Sequence, residues 1–147
     1  KFVSIRARAK QKAIEIQPST RAAVLALADE KVEESCAAVQ SETGEIVVAA
    51  NYNCPGQLVI SGSIKGVELA CEKMKAAGAK RAMVLPVGGA FHSPLMLPAK
   101  KELAAAIEAT SFNNPSCPVY QNVVAKAINN PAELKKNLID QLTVHVR

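Results

Sequence analysis

The residue best suited to chemistry in this sequence is His92, in a loop rich in glycine and proline. The loop runs from Pro86 to Pro98 and also presents Phe91 and Ser93. Loops of this kind between rigid elements often carry functional side chains. A neutral imidazole, with a pKa of about 6.5, accepts protons near pH 7. His92 is therefore a candidate general base, although a lone histidine is more often a packed or surface residue.

A nucleophile to accompany that base is missing from the sequence. No Gly-x-Ser-x-Gly motif occurs, the pattern that exposes a nucleophilic serine on a sharp turn. Ser93 is adjacent to His92, and neighbouring side chains on a loop rarely face each other. Cys54 lies in an Asn-Cys-Pro-Gly sequence that is more typical of a turn. Acyl transfer with His92 as base would need a nucleophile from outside these residues.

Composition excludes several classes of function. The chain has 147 residues, of which 49% are hydrophobic, enough for one compact core. Its net charge is +5, but aromatic residues are 3% and no nucleic-acid motif is present, so we expect no nucleic-acid partner. No apolar run approaches the roughly 18 residues of a membrane span. These features predict a cytoplasmic protein that binds no membrane.

The cysteines predict neither a metal site nor a disulfide framework. They are widely spaced and form no CxxC pair. We expect four reduced, mostly buried thiols, at Cys36, Cys54, Cys71 and Cys117.

Hydrophobic spacing predicts the elements that position His92. Residues 1–16 have a helical pattern, and the apolar run 22–28 is ambiguous between strand and helix. Further along, the patterns predict a helix from an Asp29 N-cap to Gly44, strands at 45–52 and 57–62, a helix from a Ser63 cap to Gly78, and a strand at 80–86. The order β-α-β-β-α-β indicates the α+β class and a ferredoxin-like, four-stranded sheet with helices on one face.

The elements after the loop are two further helices and an extended segment. A helix is predicted at about 95–110 and an extended segment within 118–128. Asn130 is a good N-cap for the final helix, with proline and glutamate at the N1 and N3 positions. Gln141 lies on the apolar stripe of that helix, where it needs a buried partner or reaches water at the helix end.

The Gly-Ala-Phe-His-Ser-Pro-Leu-Met segment around His92 resembles the histidine loop of malonyl-CoA:acyl carrier protein transacylases and related synthase acyltransferase domains. Three other segments support the resemblance. Asn51–Gly62 is similar to the family pattern Asn-x-Asn-x-Pro-x-Gln-x-Val-Ile-x-Gly, Gly78–Arg81 matches the approach to the loop, and Val3–Arg8 resembles the helix of the family's carboxylate-binding arginine. The resemblance covers essentially the whole chain.

The resemblance implies roles for particular residues. His92 would be the catalytic base, and Gln141 would orient it. Arg6 would bind the malonyl carboxylate, although an ordinary surface arginine is the plain alternative. Phe91 would favour malonyl over methylmalonyl, unless it merely packs the loop. The remaining substrate-binding candidates are Asn51 and Asn53.

The resemblance also implies the organisation and reaction of the whole enzyme. Residues 1–18 and 87–147 would belong to a large α/β-hydrolase-like subdomain, and 19–86 would form the small ferredoxin-like one. The nucleophilic serine would precede this chain, which would then be a central, inactive piece. The reaction would move malonyl from malonyl-CoA to the thiol of acyl carrier protein in fatty acid biosynthesis, without metal or other cofactor. The docking candidates are Lys65, Lys73, Lys75, Lys80 and Arg81.

Two alternatives remain open at this stage. The chain could belong to an acyltransferase domain of a polyketide or fatty acid synthase. It could also be a non-catalytic ferredoxin-like binding module that uses its sheet or its basic surface. The histidine loop favours the enzymes, because a binding module has no need of such a residue.

Overall fold

The computed structural model describes residues 2–147, so the predicted helical residue Lys1 lies outside it. The protein is a mixed α/β structure with five α-helices and six strands in that range. In chain order the elements are α1 (Phe2–Ile16), β1 (Ser19–Leu25), α2 (Asp29–Thr43), β2 (Val47–Cys54), β3 (Gln57–Ser63), α3 (Ile64–Ala76), β4 (Arg81–Gly88), a 3₁₀ turn (Pro94–Met96), α4 (Leu97–Glu108), β5 (Val119–Gln121), β6 (Lys126–Ile128) and α5 (Pro131–Asp140).

Strands β1 to β4 form one antiparallel sheet in the order β2-β3-β1-β4. The ambiguous run at 22–28 is mostly strand, because β1 is the inner strand that hydrogen-bonds both β3 and β4. Alternate residues such as Ala22 and Val24 are buried, as a sheet with one covered face requires. Helices α2 and α3 pack on that face and bury Val32, Val39, Val67 and Met74 against it.

The helix starts show which caps the sequence predicted correctly. Ser63 caps α3 as predicted, because its hydroxyl accepts a hydrogen bond of 3.0 Å from the Gly66 amide. Asn130 likewise caps α5. The prediction for Asp29 was wrong: Ala28 holds the N-cap position without a side-chain bond. Asp29 instead lies in the first turn, where its negative charge is favourable to the helix dipole.

A second layer is formed by α1, α4 and the end of the chain. Ala9, Met96, Leu103 and Leu142 are buried together. The helical spacing predicts Ile16 on the apolar side of α1, but Ile16 is exposed and Ile14 packs against this cluster instead. The spacing likewise predicts Leu134, Leu138 and Leu142 on the apolar stripe of the final helix, but the buried residue between Leu134 and Leu142 is Asn137. The Gln121 side chain satisfies the Asn137 amide with a hydrogen bond of 2.9 Å.

The cysteines are free, but only two of the four are buried. Cys36 and Cys71 lie in the core, and burial raises the pKa of the Cys36 thiol to about 12. Cys54 and Cys117 are exposed, which corrects the expectation of mostly buried thiols. Cys54 is at the end of β2 beside a tight turn, where the chain meets solvent.

Residues 2–147 contain neither a membrane-spanning helix nor a cluster of metal-binding side chains. None of the described helices has the length and apolar character needed to cross a membrane. The same residues contain no group of three or more histidine, cysteine, aspartate or glutamate side chains arranged to hold a metal ion.

Candidate functional site

The loop that carries His92 is held to the start of β1. The Gly89 amide donates to the Ser19 carbonyl at 2.9 Å, and the Ala90 amide donates to the Ser19 hydroxyl at 3.0 Å. A side chain at Gly89 would be strained, because φ is 92° and a Cβ atom would lie 2.7 Å from the Ile14 side chain and 2.8 Å from that of Phe91 unless they shifted. The glycine therefore lets the loop approach α1 closely.

His92 has a left-handed backbone conformation, with φ of 58°. This conformation is uncommon for a residue with a side chain and costs on the order of 1–3 kcal/mol. Fixed contacts on both sides of the loop maintain it. The strain indicates that the surrounding contacts fix the orientation of His92 despite the unfavourable conformational energy of its backbone.

The imidazole of His92 is oriented by the backbone of Gln141. Its Nδ1 lies 2.6 Å from the Gln141 carbonyl oxygen. A carbonyl can only accept a hydrogen bond, so Nδ1 carries the hydrogen and donates it. The other ring nitrogen, Nε2, is then left with a free lone pair. This is the tautomer that a general base needs.

The surroundings of His92 keep it neutral. Burial of the half-buried ring lowers its pKa below the usual value, and the bond to the Gln141 carbonyl opposes that shift. The positive charges of Lys10, Arg6 and Arg21 lower it further. A lowered pKa means that the proton-accepting form predominates at pH 7.

Gln141 also joins His92 to Arg6. The Arg6 guanidinium donates from Nη2 to Gln141 Oε1 at 3.0 Å. The sequence predicted a buried partner for Gln141 as one of two alternatives, and the side chain has that partner. One residue thus links α1 to the loop, its backbone to His92 and its side chain to Arg6.

Two cations that the sequence analysis did not single out lie against Phe91. Lys10 Nζ is 3.4 Å from the centre of the Phe91 ring, and Arg21 Cζ is 4.7 Å from it. Lys10 lies four residues after Arg6, so the helical spacing could have placed both on one face. Nothing in the sequence near Arg21 indicates its position, which depends on the pairing of β1 with β4.

An open groove of about 300 Å³ runs along α1 beside Phe91. Its lining is partly apolar and partly cationic. The residues of this groove are Val3, Arg6, Ala7, Lys10, Gln11, Ile14 and Phe91.

Neither of the two weaker nucleophile candidates is placed for attack. Ser93 is fully buried, donates its hydroxyl to the Ala90 carbonyl at 2.6 Å and accepts from the Leu95 amide. It therefore builds the turn after His92. Cys54 is at the end of β2, and its thiol contacts Gln57 at 3.6 Å.

Asn51 and Asn53 lie in β2, at the opposite edge of the sheet from the strand that leads to His92. Asn51 pairs with Val59 and forms a bridge to Val146. Within residues 2–147, no hydrogen bond joins either asparagine to His92, Arg6 or Gln141. Their role in substrate binding therefore stays a prediction.

Known proteins resemble the chain over its length, although no family model matches it. It is 49% identical to the malonyl CoA-acyl carrier protein transacylase of Bacillus subtilis over 107 residues, which is 73% of this chain and 34% of the relative. It is 38% identical to that of Haemophilus influenzae over 147 residues, which is 100% of this chain and 46% of the relative. The chain therefore spans less than half the length of these curated relatives.

Solved structures agree with these relatives. An acyl carrier protein S-malonyltransferase from Vibrio cholerae superposes with a TM-score of 0.94 at 40% identity, covering 100% of this chain and 47% of that one. A malonyl-transacylase solved in complex with a type II polyketide synthase acyl carrier protein gives a TM-score of 0.93 at 36% identity, with 99% and 47% coverage.

Proposed function

Because this chain belongs over its length to the malonyl CoA-acyl carrier protein transacylase family, we propose that it supplies the base and the carboxylate-binding arginine of malonyl transfer. The reaction moves malonyl from coenzyme A to the thiol of acyl carrier protein through an acyl-serine intermediate. The serine belongs to a part of such an enzyme that is not among these residues.

The observation that carries this proposal is the chain of contacts from His92 through Gln141 to Arg6. With Nδ1 donating to the Gln141 carbonyl, Nε2 takes the proton of the serine hydroxyl as the hydroxyl attacks the thioester carbonyl. The same nitrogen returns the proton to the departing thiolate. In the second half of the cycle it activates the carrier-protein thiol in the same way.

Arg6 is the proposed binding residue for the malonyl carboxylate. A guanidinium stays charged and can hold a carboxylate with two parallel hydrogen bonds. The Gln141 side chain accepts one bond from Arg6, and this contact restrains the guanidinium near His92. A carboxylate on Arg6 would therefore keep the acyl group close to the base.

We assign the sheet of β1–β4 with α2 and α3, residues 19–86, to the small ferredoxin-like subdomain of the family. The element order and the strand order β2-β3-β1-β4 support this assignment. Residues 1–18 and 87–147 would belong to the large α/β-hydrolase-like subdomain. Their packing supports this, because α1 buries its apolar side against α4 rather than against the sheet helices.

The proposed partner is an acidic acyl carrier protein, and the proposed docking surface is basic. Lys75, Lys80 and Arg81 are exposed or partly exposed beside the start of β4, whereas Lys73 is paired with Glu42 at 2.9 Å. Charge reversal at Lys75 and Arg81 should raise the KM for carrier protein at low salt and leave the KM for malonyl-CoA unchanged. Unchanged values for both substrates would place docking elsewhere.

The central test uses the Haemophilus influenzae transacylase with this chain in place of its matched segment. In that hybrid enzyme, His92→Gln should lower kcat/KM for malonyl transfer by about 100- to 10,000-fold. Arg6→Met should lower malonyl transfer about ten- to a hundred-fold more than acetyl transfer. The matched control is His145→Gln, since His145 is the other histidine and is exposed.

Two results would contradict the proposal. Activity that survives His92→Gln would remove His92 as the base. Equal losses of malonyl and acetyl transfer in Arg6→Met would show that Arg6 does not bind the carboxylate. Placement of the chain in a synthase acyltransferase domain would instead be supported by preference for a synthase carrier protein.

A further inference from the structure

The groove beside Phe91 holds more positive charge than one carboxylate requires. Arg6 and Lys10 line the groove, Arg21 lies 4.7 Å from the centre of the Phe91 ring, and all three are partly buried. None of the salt bridges found within residues 2–147 involves any of them. Three neighbouring cations without a carboxylate repel one another. An anion placed between them would remove that repulsion.

Two of these three cations also carry unsatisfied polar atoms. Within the described chain, the buried side-chain nitrogen and oxygen atoms without a hydrogen-bond partner are Arg6 Nε, Arg21 Nε and Ser61 Oγ. Ser61 is paired directly with Arg21 across β1 and β3, so their side chains leave the sheet on the same face. Buried polar atoms are nearly always bonded, and a group of them without partners is typical of a site for a polar ligand.

The pKa of Lys10 shows that its positive charge is destabilised in the groove. Burial, followed by the positive charges of Arg6 and Arg21, lowers the pKa of Lys10 to about 8. The contacts of Lys10 and Arg21 with the Phe91 ring compensate only in part, since a cation–π contact is weaker than a bond between opposite charges. A bound anion would raise the pKa of Lys10 again.

We propose that Lys10 and Arg21 form a second carboxylate-binding position beyond Arg6, which takes the terminal carboxylate of dicarboxylic acyl groups longer than malonyl. The proposal rests on the proposed function, in which Arg6 takes the carboxylate of malonyl itself. Lys10 follows Arg6 by one helical turn, about 6 Å along α1. The long side chain of Lys10 brings its ammonium to the Phe91 ring, next to His92. The carboxylate of a succinyl or glutaryl group, which is one or two methylene groups farther from the thioester than that of malonyl, would meet it there. Lys10 and Arg21 are thus specificity-determining residues.

A phosphate of coenzyme A is the other anionic group that an acyl donor carries. The position of the groove argues against it. Phe91 lines the groove and directly precedes His92, so the groove adjoins the reacting end of the substrate. The pantetheine arm separates the phosphates of coenzyme A from that end. The acyl carboxylate is the anion that reaches Lys10 and Arg21.

Equilibrium binding tests the proposal without requiring turnover. The probes are the succinyl, malonyl and acetyl thioesters of N-acetylcysteamine, which carry no phosphate, and coenzyme A without an acyl group. Each is titrated into the 147-residue chain while backbone amide resonances are followed by NMR. The variants are Lys10→Met with Arg21→Met, and Arg6→Met. The matched control is Lys12→Met with Arg8→Met, because both residues are exposed on α1.

The expected result is a selective loss. The Lys10→Met, Arg21→Met variant should bind the succinyl thioester about ten- to a hundred-fold more weakly and the malonyl thioester almost unchanged. Arg6→Met should weaken the malonyl thioester, and the control variant should match the unmodified chain. Above pH 8 the unmodified chain should also lose affinity for the succinyl thioester as Lys10 gives up its proton.

Other results would overturn the proposal. If each thioester binds the double variant as tightly as it binds the unmodified chain, Lys10 and Arg21 do not bind a carboxylate and only pack against Phe91. A loss confined to coenzyme A would make the groove a phosphate site. If a variant does not fold alone, the same substitutions in the hybrid enzyme are judged by the ratio of kcat/KM for succinyl-CoA and malonyl-CoA. A hybrid that lacks malonyl transfer, combined with selective loss of succinyl binding, would contradict only the proposed function.

Discussion

Two apolar clusters of this protein are built in different ways. The sheet core lies between the four-stranded sheet and helices α2 and α3, and its buried members all come from residues 22–82. The helix core lies between α1 and α4 and draws on Ala9, Met96 and Leu142, which are far apart in the sequence. His92, Arg6 and Gln141 all adjoin the helix core.

The two cores differ in whether the candidate functional residues lie beside them. The sheet core is closed by local elements in sequence order, so its residues mainly hold the fold together. The helix core depends on contacts between the two ends of the chain. Such contacts bring the imidazole of His92, the guanidinium of Arg6 and a cationic groove together, at the expense of strain at His92 and repulsion around Lys10.

The sharpest test of this comparison is a matched pair of core truncations. Met74→Ala in the sheet core and Met96→Ala in the helix core both remove a fully buried side chain. Each should lower the free energy of unfolding by about 2–5 kcal/mol, measured by urea denaturation. Only Met96→Ala should also shift the NMR resonances of the His92 imidazole ring, because Met96 lies four residues after His92. A shift of equal size in Met74→Ala would show that the clusters are not independent.

A change at Phe91 tests whether this residue, which packs against the helix core, selects the acyl group. In the hybrid enzyme, Phe91→Ser should raise kcat/KM for methylmalonyl-CoA relative to malonyl-CoA by about 10- to 200-fold, because the ring leaves no room for a methyl branch. The ratio is decisive, since poor positioning of His92 would lower both rates together. An unchanged ratio with both rates depressed would give Phe91 a packing role alone.

The two helix caps provide a smaller contrast. Ser63→Ala and Asn130→Ala each remove a side chain that accepts a hydrogen bond at a helix start, so each should cost about 0.5–2 kcal/mol of unfolding free energy. Asn130 begins α5, which ends directly before Gln141. Asn130→Ala should therefore also loosen the bond from His92 to Gln141, seen as a change in the His92 ring resonances, whereas Ser63→Ala should not. The reverse pattern would contradict the division of roles.

The smallest expected effect is on the titration of His92. Burial and the nearby positive charges lower the pKa of His92, so its proton should be lost below the ordinary value of about 6.5. Since the lowered pKa favours the neutral ring in the folded state, stability is fully present above the ordinary value and falls as the pH is lowered through the folded one. Lys10→Met removes one positive charge and should raise the pKa of His92, as measured from its ring resonances. A lower pKa in that variant would contradict the electrostatic explanation.

The sequence alone was enough to predict the sheet core and to single out His92 as the candidate base. Period-two and helical spacing, with the caps at Ser63 and Asn130, predicted the element order, because these signals are local. The Asp29 cap was wrong by one residue, because Ala28 holds the N-cap position and Asp29 lies in the first turn. The loop sequence around His92 identified the family without any contact being known.

Only the tertiary structure decided how the site is assembled. Arg6 and Gln141 are 135 residues apart, and their hydrogen bond exists because α1 and the end of α5 pack beside the same loop. The approach of Lys10 and Arg21 to Phe91 depends likewise on the packing of α1 and the pairing of β1 with β4. Charge repulsion within such a group is invisible in a linear sequence, because it depends on distances that the fold alone creates.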